Sequence, residues 1–184
     1  QGYSFAYSTA SACNPYFLLV FVHNRLYLIV NMKNKYLSLV YILLVTFVAS
    51  AAGSFVTSSY KEPWYSEIIL PSFNPPSWVF APVWTTLYVF MSIAIWIVWR
   101  QTSDKKIFKI YLVHLFFNAI WSVIFFGFHQ IALALMDLGV ILIFIFWLMK
   151  IYYKINKISF LLMTPYLLWS LYALILNTAI FYLN

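Results

Sequence analysis

Charged residues are scarce in this sequence. Asp, Glu, Lys and Arg together make up 8% of the 184 residues, whereas aliphatic and aromatic residues make up 65%. A soluble domain of this length would leave roughly a third of its chain surface in water, and so few charges could not cover it. The composition therefore excludes a water-soluble fold and predicts an integral membrane protein.

Cysteine and the usual catalytic motifs are also missing. The single cysteine, Cys13, excludes an intramolecular disulfide and indicates nothing about the compartment. His23, His114 and His129 lack ligand spacing, so no metal site is predicted; a lone helical His such as His114 more often packs than ligates a haem. The sequence holds no Gly-rich phosphate loop, HExxH motif or nucleophile elbow.

Five apolar segments are long enough to cross a membrane. A hydrocarbon core of about 30 Å requires roughly 20 apolar residues in a helix. Segments of that length occur at about residues 36–59, 78–99, 107–128, 131–149 and 158–183. The sequence therefore predicts an all-α membrane protein, a bundle of five transmembrane helices within residues 35–184.

Lys and Arg are concentrated in alternate loops. One side of the predicted bundle holds Lys33, Lys35, Arg100, Lys105, Lys106, Lys109, Lys150, Lys154 and Lys157. The other side has only Lys61, offset by Glu62 and Glu67. Because short cytoplasmic loops are enriched in Lys and Arg, we expect a cytoplasmic N-terminus and a C-terminus across the membrane. The net charge of +7 then reflects topology, and no nucleic-acid partner is expected.

The N-terminal tail, residues 1–34, fits the rest of the chain poorly. Met32 resembles a natural start for a bacterial membrane protein, which predicts a bacterial membrane as the location. The apolar stretch before Met32 is interrupted by Arg25, and a buried Arg costs at least about 2.5 kcal/mol on insertion scales. We therefore predict no sixth span. The tail is either an interfacial segment or translated upstream sequence, and we favour the second.

The loop between the first two spans is stiff and aromatic. It contains Trp64, Tyr65 and Phe73 together with four prolines, which fix φ and limit its freedom. Such a loop either rests in the headgroup region as part of an aromatic belt or covers a pocket between helices. Composition does not choose between the two.

Prolines inside the spans indicate space between the helices. Pro82 and Pro165 each remove a backbone hydrogen bond and favour a kink, and Ser77 is a candidate cap for the second span. Some pairs at helical spacing could line the resulting space: Trp84 with Tyr88, Asn118 with Trp121, Trp121 with Phe125, and Trp169 with Ala173. Packing or lipid contact is the commoner role of each such residue.

Three polar residues lie inside the spans. Asn118 and Asn177 most often bridge two helices in such positions. Asp137 must be protonated, paired with a polar neighbour or exposed to a wet cavity, because hydrocarbon offers it no water.

Three motifs follow one another along the chain. They read LPSFNPPSWVFAPVWTTLY at 70–88, NAIWSVIFFG at 118–127 and PYLLWSLYALILN at 165–177. Together they closely resemble the motifs of the translocator protein family, whose members are also called tryptophan-rich sensory proteins or peripheral benzodiazepine receptors. The resemblance runs from about Lys35 to the C-terminus.

This resemblance implies a five-helix bundle, frequently a homodimer, whose pocket is closed by the first loop. Family ligands include protoporphyrin IX, haem and other tetrapyrroles, benzodiazepine-type and isoquinoline drugs, and cholesterol in animals; no cofactor is obligatory. Carried over by motif, the resemblance implies ligand-binding roles for Tyr65, Phe80, Trp84, Tyr88, Asn118, Trp121, Trp169 and Ala173.

The chain also departs from the family pattern. Leu70 stands where many bacterial members have Lys, and Phe73 replaces the usual Trp. No Lys or Arg follows Tyr182, so the animal sterol-recognition pattern is missing and a tetrapyrrole is expected rather than cholesterol. The resemblance favours a porphyrin- or haem-binding sensor or regulator. The alternatives are a light-dependent porphyrin-degrading enzyme, with Trp84 and Trp169 as candidate catalytic residues, or a transporter of porphyrins or other small hydrophobic ligands.

Overall fold

A computed structural model describes residues 35–184 of the chain. The regular elements of this part are all helical, and five of its helices are long and apolar enough to cross a membrane. The predicted all-α bundle of five spans is therefore confirmed. The predictions on the tail, including those on Cys13 and His23, lie outside the described residues.

Six α-helices occupy the described part. They are α1 (Lys35–Tyr60), α2 (Trp64–Glu67), α3 (Ser77–Thr102), α4 (Lys105–Ser122), α5 (Ile131–Ile155) and α6 (Lys157–Leu183), and a π-helical turn (Val123–Gly127) continues α4. The spans agree with the sequence prediction to within a few residues at most ends. The short α2 and the π-helical turn were not predicted, and α5 continues past the predicted end at residue 149.

Polar side chains cap two of the long helices. Asp104 accepts a hydrogen bond from the Lys106 amide at 2.8 Å before α4, and Asn156 accepts from two amides at the start of α6. The predicted cap at Ser77 is wrong. Helix α3 begins one residue earlier than expected, so that Pro76 occupies the cap position and Ser77 is already helical.

The five long helices form a ring in which each packs most extensively against two neighbours. Their order around the ring is α1, α3, α6, α5, α4. A Cβ atom on Gly53 of α1 would lie 3.2 Å from the Ser122 Oγ atom, so the absence of a side chain lets α1 approach α4 closely. Ala49 and Gly53 are small residues four apart on α1, and close packing is the common role of such a pair in membrane helices.

One end of the bundle gathers the first loop, the link between α4 and α5, and the C-terminal residue. The Ile69 amide donates to the Asn184 Oδ1 atom at 2.9 Å, and Trp64 stacks on His129 with ring centroids 4.5 Å apart. We call this end the loop face. The chain topology places the basic loops at the opposite end.

The outer surface of the ring is apolar. Val48 on α1, Met136 on α5 and Leu168 on α6 each expose more than 60% of their area. Contiguous apolar surface on this scale is unusual for a soluble monomer and suits contact with lipid tails. The chain is a multi-pass membrane protein.

Candidate functional site

A cavity of about 480 Å³ lies inside the ring, toward the loop face. All five long helices contribute to its wall, for example through Thr57, Trp84, Trp121, Ile141 and Ala173. Its volume falls within the roughly 300–1,000 Å³ of small-ligand sites, which are mostly apolar with a few placed polar groups. The ring therefore encloses a site of suitable size and character for a small hydrophobic ligand.

The eight residues that the sequence singled out all line this one cavity. They are Tyr65, Phe80, Trp84, Tyr88, Asn118, Trp121, Trp169 and Ala173. They come from the first loop and from α3, α4 and α6, which the ring brings together. That they bind a ligand stays a prediction.

Aromatic side chains on the neighbouring helices α3 and α6 form adjoining parts of the wall. Trp84 stacks on Tyr88, with centroids 5.4 Å apart, because residues four apart share one helix face. Trp169 meets Phe80 edge to face at 6.0 Å and contacts Tyr172 at 5.5 Å. Two indole rings thus line the same cavity from different helices.

A chain of buried hydrogen bonds lies at the inner end of the cavity. Tyr88 donates to the Asn118 Oδ1 atom at 2.5 Å, and the Asn118 amide nitrogen donates to the Tyr166 hydroxyl at 3.0 Å. That hydroxyl also lies 2.8 Å from the His114 Nε2 atom. The chain joins α3, α4 and α6. His114 is thereby a packed, hydrogen-bonded residue, and among the described residues it is not one of those that line the cavity.

Trp121 has an unpaired hydrogen-bond donor in the cavity wall. Its ring stacks on Phe125 with centroids 4.9 Å apart and meets Phe126 edge to face at 5.9 Å. The Trp121 Nε1 atom is buried and has no hydrogen-bond partner within residues 35–184. Because buried donors are nearly always paired, this N–H is available to an acceptor on a ligand.

The π-helical turn sets the position of two cavity aromatics. Phe125 and Phe126 both belong to it and both line the cavity. Such turns are rare and occur often at functional sites. The motif spacing had suggested Phe125 as a wall residue, but the position of Phe126 depends on the turn and was not predicted.

The first loop covers the mouth of the cavity. Tyr65 packs on Phe126 with centroids 5.6 Å apart and donates to the Asn74 Oδ1 atom at 3.3 Å. Across the loop, the Tyr172 hydroxyl donates to the Phe73 carbonyl at 2.7 Å. Burial raises the pKa of Tyr65, so its hydroxyl remains a donor at neutral pH. Composition left open whether this loop is part of an aromatic belt or covers a pocket, and the contacts of the loop favour the second role.

The two remaining polar residues of the spans have different surroundings. Asn177 donates to the Ile131 carbonyl at 3.1 Å, which bridges α6 to α5, and it also lines the cavity. Asp137 is buried, is not among the described cavity residues, and its Oδ2 atom finds no hydrogen-bond partner in the described chain. Within residues 35–184, no group of three or more His, Cys, Asp or Glu is placed to hold a metal ion.

A second, open groove of about 550 Å³ lies between α3 and α6. Pro82 and Pro165 both line it, so the two helices leave space where their backbone hydrogen bonding is interrupted. Trp169 lines the groove as well as the cavity. This ring therefore forms part of the wall between the two spaces.

The fold and the cavity define a membrane-embedded helical bundle with an internal aromatic site beneath a loop. The chain matches the model of the TspO/MBR family over residues 15–183, and it belongs to that family. The match begins inside the N-terminal tail, before the start of the resemblance that the motifs suggested.

Relatives of known name support the assignment. The chain is 35% identical over 150 residues to the tryptophan-rich protein TspO of Archaeoglobus fulgidus, covering 80% of this chain and 97% of the relative. It is 33% identical to the tryptophan-rich sensory protein of Cereibacter sphaeroides, covering 77% and 91%. It is 32% identical to the human translocator protein, covering 71% and 82%.

Proposed function

We propose that this protein binds a tetrapyrrole, protoporphyrin IX or haem, in the internal cavity and acts as a membrane sensor or regulator. The observation that carries the proposal is the convergence of the eight predicted site residues on one cavity with aromatic walls. The name of the Cereibacter sphaeroides relative describes a sensory protein, which agrees with this role.

The chemistry of the wall suits such a ligand. A flat apolar macrocycle gains from stacked and edge-on aromatic contacts, and the cavity offers them on α3, α4 and α6. The unpaired Trp121 Nε1 donor and the Tyr65 hydroxyl add two polar groups that could fix the orientation of the ligand. Because these groups are uncharged, the part of the ligand that lies inside the cavity should be neutral and mostly apolar.

A second candidate function is light-dependent degradation of a bound porphyrin. It is favoured by one observation, that Trp84 and Trp169 both line the cavity and so place oxidisable indoles beside whatever occupies it. Transport, the third alternative, gains less from the structure. Asp137, the one acidic residue that the sequence places inside a predicted span, is not among the described cavity residues.

Titration of the purified protein with protoporphyrin IX, haem and cholesterol, followed by tryptophan fluorescence, tests the proposal. We expect saturable quenching by the two tetrapyrroles and none by cholesterol. Ala173→Leu should weaken it markedly, because the added atoms occupy part of the cavity that a flat macrocycle needs. Ala52→Leu, on the exposed side of α1, is the matched control and should bind as the wild type does.

The opposite result would be equal quenching in the wild type and in the Ala173→Leu variant. Binding would then occur outside the cavity, and the proposal would be wrong. Trp147→Phe provides a second control, since Trp147 is half exposed to lipid and its loss should leave the binding curve unchanged.

A further inference from the structure

Lys61 occupies an isolated position in the charge pattern. It is the one Lys or Arg on the loop face within residues 35–184, and also the one basic residue among the described residues that line the cavity. Its side chain is 29% exposed. The ammonium lies 5.1 Å from the centroid of the Tyr65 ring and 3.4 Å from the Glu62 Oε1 atom. A single positive charge therefore stands at the mouth of an aromatic cavity.

We propose that Lys61 anchors a carboxylate of the ligand, so that the site selects amphipathic acids, with the apolar body inside and the acid group at the mouth. The inference rests on the proposed function and makes it narrower. Protoporphyrin IX and haem belong to this class because each carries propionate groups.

The interior explains why the acid must stay at the mouth. Trp84, Phe125 and Leu176 give the cavity an apolar wall, and an ionised carboxylate is strongly destabilised in such surroundings unless it is paired. The polar groups further in are neutral, and Asn118 is already engaged with Tyr88 and Tyr166. Among the described lining residues, only the Lys61 ammonium supplies a compensating charge.

The contact with Tyr65 holds the ammonium in place. A cation above an aromatic face is attracted by the ring electrons, more strongly where water is partly excluded. Tyr65 itself is fixed by the Asn74 hydrogen bond and by Phe126. Because the ammonium is held beside the mouth, a bound carboxylate would meet a charged donor, which forms stronger hydrogen bonds than a neutral one.

Glu62 is the group that a ligand carboxylate must displace. It accepts a hydrogen bond from the Ser66 hydroxyl, which lowers the pKa of Glu62, so it is ionised at neutral pH. It is 56% exposed, and exposed ion pairs contribute little. A ligand acid can therefore replace it at Lys61, while Glu62 keeps Ser66 and solvent as partners. Removing the Glu62 charge should then favour acidic ligands.

The test compares protoporphyrin IX with its dimethyl ester, which has the same macrocycle but no carboxylates. In Lys61→Met we expect the Kd of the acid to rise by roughly ten-fold, as for loss of a hydrogen bond to a charged group, with the Kd of the ester unchanged. Lys61→Arg should restore acid binding. Glu62→Gln should tighten binding of the acid alone. Lys154→Met, at the opposite end of the bundle, is the matched charge-removal control and should have no effect.

Equal weakening of acid and ester in Lys61→Met would mean that Lys61 only supports the packing of Tyr65, and no change for either would also overturn the anchor. If the wild type binds neither porphyrin, the proposed function fails by itself. The role of Lys61 as a carboxylate anchor is then tested with the same variants, using pyrenebutyric acid and its methyl ester as ligands. If the wild type shows no preference for the acid, this role is refuted.

Discussion

Tyr88 donates its hydroxyl hydrogen to the Asn118 Oδ1 atom across 2.5 Å, which joins α3 to α4 at the inner end of the cavity. Both side chains are at least nine-tenths buried. Since Asn118 also donates to Tyr166 on α6, one amide group connects three of the five helices. The bond has consequences for stability as well as for the shape of the site.

Tyr88→Phe should destabilise the bundle. The Asn118 Oδ1 atom would remain buried without its donor, and such a group costs about 1–3 kcal/mol. We expect a lower midpoint of thermal unfolding in detergent. Tyr153→Phe removes a hydroxyl from a side chain that is 57% exposed and serves as the control. Identical midpoints for the two variants would show that the hydrogen bond does not contribute to stability.

The prolines of the first loop should slow ligand release. Pro75 lines the cavity. Replacing Pro75 and Pro76 by Gly should raise the conformational entropy of the open loop, which disfavours the closed loop by roughly 0.4–1 kcal/mol per proline. We expect faster dissociation of bound ligand in stopped-flow experiments, with unchanged helix content by circular dichroism. Ser72→Gly adds a glycine to the same loop and is the control. An unchanged dissociation rate in the double variant would refute the closing role of the prolines.

Replacing the two indoles of the cavity distinguishes simple porphyrin binding from porphyrin photochemistry. Trp84→Phe with Trp169→Phe keeps most of the packing on Tyr88 and Phe80 but removes the oxidisable rings. We expect a folded bundle that still binds porphyrin and gives less degradation product under light, measured by absorbance against free porphyrin in the same light. Equal product yields in the wild type and the double variant would eliminate the enzymatic alternative.

The two ends of the bundle should be accessible from opposite sides of the membrane. Single cysteines at Glu67 and Lys105, introduced in a Cys13→Ser background, should react with an impermeant thiol reagent from opposite sides of sealed vesicles. The charge pattern predicts that position 105 is cytoplasmic. Equal labelling of both positions from one side would contradict the proposed orientation.

The helices follow from the sequence because the bilayer restricts the possible structures. A span needs a minimum apolar length and must pair its own backbone groups, so composition alone located all five spans. Helix ends were less certain. Ser77 is a predicted cap, whereas the chain becomes helical directly after Pro76. Helix α5 extends to Ile155, and Tyr152 near its end is fully buried.

The site was only partly predictable. The motifs pointed to residues such as Trp84 and Trp169, and the helical spacing of Trp169 could also have pointed to Tyr172, three residues further along the same face. Sequence patterns could not identify Phe126 or Lys61 as cavity residues. The position of Phe126 depends on the π-helical turn that follows α4. The position of Lys61 depends on where the first loop lies after folding.

The membrane environment, the number of spans and the motif residues could all be read from the sequence, because each depends on local composition and spacing. Whether the eight predicted site residues share one cavity depended on the tertiary structure, since the closed ring joins helices that are far apart in sequence. The tertiary structure also decided that the aromatic first loop covers this cavity. The contacts of Trp64 with His129 and of Tyr65 with Phe126 cross more than 60 residues of sequence, and no local pattern records such a pairing.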